Sequence, residues 1–167
     1  METGTHPYVA PAVSAPYRVL VTGSRGWPHR RAVEDALAAL ERLVTGRLLV
    51  LVHGGCPGSP DQQADSWVRS RMAVPPWLEP EVHRASWERH GVRAGFVRNA
   101  EMVALGADVC LAFVGPCRSP RCRDSREHDS HGAAHCADLA ERAGITTVRF
   151  RLTDLQRSLS ALPARLR

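Results

Sequence analysis

Two short apolar runs in this chain break into small, hydrogen-bonding residues of the kind that hold an anion. The first is Arg18-Val19-Leu20-Val21, followed by Thr22-Gly23-Ser24-Arg25-Gly26. The second is Leu48-Leu49-Val50-Leu51-Val52, followed by His53-Gly54-Gly55-Cys56-Pro57-Gly58-Ser59-Pro60-Asp61. Glycine lets backbone approach a ligand closely. Exposed N–H groups where a helix begins favour negative charge, most often a phosphate. Arg25 adds a guanidinium suited to bidentate phosphate contact. The alternative for the first loop is a plain tight turn with a solvent-facing Arg25. In the second, Asp61 and Asp65 lie one helical turn apart and could bind ribose hydroxyls, or cap and favour a helix start. His53 could equally be a buried, satisfied histidine at a strand end.

A second constellation lies between residues 115 and 136. It contains Cys117, Cys122, His128, His131, His135 and Cys136. Thiolates and imidazoles gathered in one long, charged loop could bind tetrahedral zinc through Cys117, Cys122, His128 and His131, with His135 able to replace one histidine. A loop of this length needs a function or a staple. The spacing fits no standard zinc finger, and a flexible Arg/His-rich lid with incidental thiols is the competing reading.

The elements that must position these groups alternate. Strands are expected at 18–22, 48–52, 79–83, 108–114 and 145–150. Helices are expected from about Pro28, near 61–72, near 92–105 and at 132–143, with a last one suggested by Leu155, Leu159 and Leu162. Val33, Ala36, Leu37, Leu40 and Leu43 form the first apolar stripe, and Phe96, Val97, Ala100, Val103 and Ala104 form that of the helix at 92–105. Ser59 or Asp61 is the expected cap of the second helix. Pro75 and Pro76 end that segment. The nearly all-apolar run from Asp108 to Val114 is what a strand covered on both faces looks like, with Cys110 a core residue. Such alternation predicts a single α/β, Rossmann-like, doubly wound and mainly parallel sheet, with both glycine turns at its carboxyl edge. The expected division is a loose arm over 1–16, the domain over 17–152 and a C-terminal helix over 153–167.

Composition narrows the chemistry. All 22 basic residues are arginine, and the net charge is +5. Without lysine there is no phosphate-loop lysine and no Schiff base. The arginines are scattered among acids, with a dense run only at 118–126, so nucleic acid is a minor reading. No run is long enough to span a membrane and the first residues do not resemble a signal peptide, so a cytoplasmic protein with free thiols is expected. Among the four tryptophans, Trp27, Trp67, Trp77 and Trp87, Trp27 is nearest the first turn and could stack on a base, although large aromatics more often fill cores.

A third polar segment, Gly95-Phe96-Val97-Arg98-Asn99-Ala100-Glu101-Met102, precedes Gly106-Ala107-Asp108. Together with Val21-Thr22-Gly23-Ser24-Arg25, His53-Gly54-Gly55, Trp87 through Met102 and Ala112-Phe113, it resembles the SLOG superfamily. The closer similarity is to its YspA-like (YpsA-related) branch, found in actinobacteria and their phages, and it covers roughly residues 18–150. More distant relatives are the Lonely Guy phosphoribohydrolases and DprA. The resemblance implies a Rossmann-like fold holding a nucleotide or nucleotide-derived phosphorylated molecule. The glycine turns and this third segment together give the candidate ligand-binding set Gly23, Ser24, Arg25, His53, Gly54, Gly55, Gly58, Asp61, Arg98, Asn99 and Gly132. The resemblance adds more. It also implies helix-mediated pairing into a homodimer. In the phosphoribohydrolases an arginine and a glutamate act on the ribosyl bond. Arg98 matches the arginine, whereas the glutamate position falls on Cys136 and the neighbouring double glycine and threonine are missing. Arg98, His135 and Asp61 are therefore the catalytic candidates if the chain hydrolyses an N-ribosyl or phosphoribosyl bond, with Asp138 a further carboxylate. Kinship with DprA keeps a single-stranded nucleic-acid module as a second alternative.

Overall fold

The computed structural model describes residues 15–44, 46–71 and 78–165. Most of the expected N-terminal arm, Pro75, Pro76 and Trp77 lie outside the described residues. Five strands, β1 (Tyr17–Gly23), β2 (Leu49–His53), β3 (Leu78–Val82), β4 (Val109–Phe113) and β5 (Thr146–Phe150), form one sheet in the order β3-β2-β1-β4-β5. Every pairing is parallel. The chain winds outward from β1 to β3, then crosses back to place β4 on the other side of β1. The order therefore reverses between β1 and β4, and ligands of such sheets bind outside the carboxyl ends at that reversal.

Alternation along the strands divides the core in two. Val19 and Val21 of β1, Leu49 and Leu51 of β2, and Leu111 and Phe113 of β4 face one way. They meet α1 (Arg30–Leu43), α2 (Pro60–Arg69) and α6 (Leu155–Arg165), which contribute Val33, Leu37, Leu40, Trp67, Val68 and Leu162. Leu20, Val50, Val52, Cys110 and Ala112 face the other way, against α4 (Ala94–Ala104) and α5 (His131–Arg142) through Met102, Val103, Ala133, Cys136, Ala137 and Ala140. Each fully buried Val or Leu contributes roughly 1.5–3 kcal/mol, so strands covered on both faces read as unbroken apolar runs. The chain thus forms the α/β, Rossmann-like, doubly wound sheet its pattern predicts.

Three expectations are refined. The helix expected near 92–105 begins earlier and in pieces: α3 (Trp87–His90), a 3-10 turn (Gly91–Arg93), then α4. Gly91, at φ +50°, ends α3 and redirects the chain. The core face of α4 also differs from the stripe, because Ala94, Asn99, Met102 and Val103 are buried while Phe96, Ala100 and Ala104 are exposed. A buried asparagine has displaced the apolar stripe from its expected face. Trp27 is buried, edge-on to Phe113 with ring centroids 5.7 Å apart, and so fills core.

Candidate functional site

The first glycine turn leaves β1 at the reversal point and is locked to the end of β4. Ser24 N–H donates to the Phe113 carbonyl at 3.0 Å, and Gly115 N–H donates to Ser24 Oγ at 2.8 Å. The Ser24 hydroxyl is thereby spent on joining two loops. Gly23 has a packing reason of its own, since a β-carbon there would overlap the ring of Pro60, the first residue of α2. Arg25 is exposed and makes no hydrogen bond among the described residues.

The second turn is folded around a carboxylate of the chain itself. Asp61 is 4% exposed and accepts the Gly54 N–H at 2.9 Å, with the Cys56 N–H also acting on it. Burial raises its pKa, opposed by Arg98, His53 and those two N–H groups. The remaining donors of the loop are also used. Gly55 N–H donates to His53 Nδ1 at 3.1 Å, and Gly58 N–H donates to Gln62 Oε1 at 2.8 Å. Ser59 caps α2 by accepting the Asp61 N–H at 3.2 Å. Since Nδ1 of His53 accepts, Nε2 carries the proton and faces Asp65 Oδ1 at 3.2 Å. Burial lowers the pKa of this histidine and keeps it neutral. Gly54 and Cys56 thus form a nest for Asp61, and the Gly55 and Gly58 N–H groups are taken by the His53 and Gln62 side chains.

Open donors lie opposite, on α5. Ser130 occupies its N-cap position without a side-chain cap bond, and the N–H groups of Gly132 and Ala133 have no partner among the described residues. Gly132 faces open space. Its carbonyl accepts Asn99 Nδ2 at 3.0 Å, and Asn99 Oδ1 accepts Arg98 Nε at 3.0 Å. Arg98 Nη1 donates to the His83 carbonyl at 3.3 Å, and the guanidinium lies over Gly54. Arg98, Asn99, Gly54 and Gly132 are therefore brought together from three separate stretches of chain.

The other catalytic candidates are placed differently. Cys136 is fully buried, and burial pushes its thiol up to about 11 against the Thr22 hydroxyl, so it stays protonated at neutral pH. His135 meets Phe96 edge-on at 4.8 Å, and its pKa is lowered by burial. Asp138 is paired with Arg149 at 2.6 Å.

The expected metal ligands do converge. The four ligand atoms of Cys117, Cys122, His128 and His131 all lie within 4.8 Å of one another. Cys122 Sγ is 3.4 Å from His128 Nε2 and 3.3 Å from His131 Nε2, and the two Nε2 atoms are 3.2 Å apart. The loop closes on itself through a Pro116–Asp129 bridge and a Cys117 N–H to His128 carbonyl bond of 2.8 Å. His128 Nδ1 lies 2.8 Å from the Arg126 carbonyl and donates to it, which turns Nε2 toward the cluster. The Ser119 N–H, then Cys122 and His128, hold the Cys117 thiol below its usual pKa. This cluster could hold a metal ion. His135 stands apart from it.

Comparison with known proteins places the chain in a family. The model of the YspA, cpYpsA-related SLOG family matches residues 17–90. The Gene 61 protein of Mycobacterium phage D29 is 47% identical over 134 residues, covering 80% of this chain and 95% of that protein. The chain belongs to the YspA, cpYpsA-related SLOG family. No solved structure matches it significantly. In this SLOG chain, the second glycine turn and the Arg98 segment meet at the carboxyl edge of the sheet. Sequence reasoning missed the support beneath them. Arg18 holds Glu81 bidentately at 2.8 Å, and Glu81 holds His83 at 2.7 Å, fixing the β3 end whose carbonyl receives Arg98. Alternating acids Glu79 and Glu81 on a short strand were the available signal. Among the described residues no helix is long and apolar enough to cross a membrane.

Proposed function

We propose that this chain binds a nucleotide-derived phosphorylated small molecule in the crevice between the ends of β1 and β4. The observation that carries the reading is the uncapped N-terminus of α5 with open space at Gly132, joined through Asn99 to Arg98. Free N–H groups at a helix start and a nearby guanidinium together favour a phosphate. Arg25, exposed on the facing loop, supplies a second guanidinium. Gly23, Ser24, His53, Gly55, Gly58 and Asp61 shape the crevice from behind, because their polar groups already have partners within the fold.

Binding is favoured over hydrolysis. Splitting an N-ribosyl bond calls for a carboxylate that stabilises developing positive charge or activates water. Cys136 holds a neutral thiol where the phosphoribohydrolases carry their glutamate, Asp138 is paired, and Asp61 is enclosed by backbone N–H groups. Titration calorimetry with adenosine 5′-monophosphate and adenosine tests the reading. Arg25→Ala and Arg98→Ala should each weaken the monophosphate by about 1.5–3 kcal/mol and leave adenosine nearly unchanged. Equal loss for both ligands would remove phosphate from the site.

We also propose that the Cys117-Cys122-His128-His131 cluster holds zinc. A tetrahedron with Zn–S of about 2.3 Å and Zn–N of about 2.05 Å has N–N and S–N edges of roughly 3.3 and roughly 3.6 Å. Among Cys122, His128 and His131 the separations of 3.2 Å and of 3.3 and 3.4 Å lie near these edges, and the fourth ligand atom, of Cys117, falls within 4.8 Å of them. Four protein ligands leave no open position, so the role is structural. Elemental analysis should find about one zinc per chain.

A homodimer paired through the α3–α4 face, in the cytoplasm, completes the reading. Trp87, Val92 and Phe96 are exposed on α3, the 3-10 turn and the first turn of α4. Light scattering that returned the monomer mass of 18.3 kDa at micromolar concentration would count against pairing.

A further inference from the structure

The geometry points to Asn99 as a positioning residue that couples the metal cluster to Arg98, so that metal and anion bind as one linked unit. The inference rests on the zinc and phosphate readings above and adds the connection between them. Asn99 is 3% exposed, and its amide has one partner on each side. The Gly132 carbonyl can only accept and Arg98 Nε can only donate, so Nδ2 must face Gly132 and Oδ1 must face Arg98, each at 3.0 Å. No flip of the amide satisfies both partners.

The metal end of this connection is one peptide away. His131, whose Nε2 belongs to the cluster, immediately precedes Gly132 at the start of α5. The base of the 115–131 loop is held by the Pro116–Asp129 bridge, by Ser130 N–H donating to the Gly115 carbonyl at 2.9 Å and by Arg151 donating to Asp129 at 2.8 Å, while its tip is gathered by Cys117 N–H donating to the His128 carbonyl at 2.8 Å and by the cluster. Metal binding pays out as ordering of such a loop. An ordered His131 fixes the Gly132 carbonyl, the carbonyl fixes the Asn99 amide, and the amide fixes Arg98 at Nε. The second anchor of Arg98 is the His83 carbonyl at 3.3 Å, and its guanidinium rests against Gly54, so a change in Nε support displaces the group that faces the anion. When the metal leaves, the first turn of α5 loosens, the buried amide loses an acceptor, and Arg98 returns to a wider range of rotamers. Linkage makes the effect reciprocal, because an anion that holds Arg98 must tighten the metal by the same factor.

The test uses the full chain, zinc, and adenosine 5′-monophosphate as the anion probe. Zinc-loaded protein should bind the monophosphate roughly tenfold tighter than chelator-stripped protein, and saturating monophosphate should tighten zinc by the same factor. Asn99→Ala and Asn99→Asp should still bind one zinc per chain, with that factor reduced to about one. The Nε–H resonance of Arg98 should move on zinc removal in the natural chain and stay still in Asn99→Ala, a readout that general loss of stability would not reproduce. Should both variants fail to fold, the reciprocal titrations and the Arg98 resonance of the natural chain decide alone. Zinc and monophosphate binding independently in the natural chain would overturn the coupling and leave both parent readings intact. Variants that keep the natural factor would overturn the role of Asn99. A zinc-loaded chain that binds no monophosphate would overturn the phosphate reading and the coupling with it.

Discussion

Gly54 lies directly beneath the guanidinium of Arg98, and a β-carbon at that position would occupy the space of Nη1 and Cζ. The glycine that follows β2 is therefore required by an arginine from α4, across 44 residues of sequence. Its own N–H turns away, to Asp61, at 2.9 Å. The second glycine turn serves the site by yielding room to Arg98.

Gly54→Ala should accordingly act like an arginine variant. The added methyl pushes the guanidinium off its seat and away from the His83 carbonyl. A loss of about 1.5–3 kcal/mol in monophosphate affinity is expected, the magnitude of a charged hydrogen bond. Calorimetry beside Arg98→Ala checks this, and the double variant should lose little more than either single one. Full additivity would show that the two residues act separately.

Gly23→Ala should behave differently. Its β-carbon meets Pro60 of α2, and overpacking of this kind costs about 1–3 kcal/mol of stability. Urea unfolding should record that loss. Monophosphate affinity of the folded fraction should change little if the role of Gly23 is packing.

Cys122→Ser removes a thiol that lies 3.4 Å from His128 Nε2 and 3.3 Å from His131 Nε2. Zinc content should fall from about one per chain to near zero. Limited proteolysis should then cut between residues 115 and 131, while the remaining domain keeps its circular dichroism spectrum. A metal-free natural chain that resists cleavage in this loop would contradict the zinc reading.

The Arg18–Glu81 pair sets an acid limit on stability. Bidentate hydrogen bonding from Arg18 holds the Glu81 carboxyl down at about 2, against an ordinary 4.5. A carboxyl whose folded value is depressed adds stability that is complete above its unfolded pKa and is lost as pH falls toward its folded one. The window therefore runs from about 4.5 down to about 2. Partial exposure screens the pair, which leaves roughly 1–2 kcal/mol. His53 works in the same sense at higher pH. Its folded pKa is lowered by burial, so protons favour the unfolded chain once pH drops below 6.5. Glu81→Gln should be less stable than the natural chain near neutrality and lose less on acidification, as followed by urea unfolding across the acid range.

Much of the fold was legible in the residues alone. Strands buried on both faces must be continuous apolar runs, so Leu49–His53 and Val109–Phe113 announced themselves. Small residues after each run located the carboxyl edge, and the Cys/His spacing located the loop whose ligand atoms converge. These features are local in sequence, and local composition encodes them. The direction of each hydrogen bond was not local. Nothing in His53-Gly54-Gly55 says that Asp61 fills the turn, or that Gly54 makes room for Arg98. The stripe of α4 could not reveal that Asn99 turns inward between Arg98 and Gly132. A buried polar group goes where a partner from another element waits, and that partner exists only once the sheet has brought α4, α5 and the end of β2 together. Sequence thus determined the elements and the edge at which the turns gather, and tertiary packing decided which donors stay free.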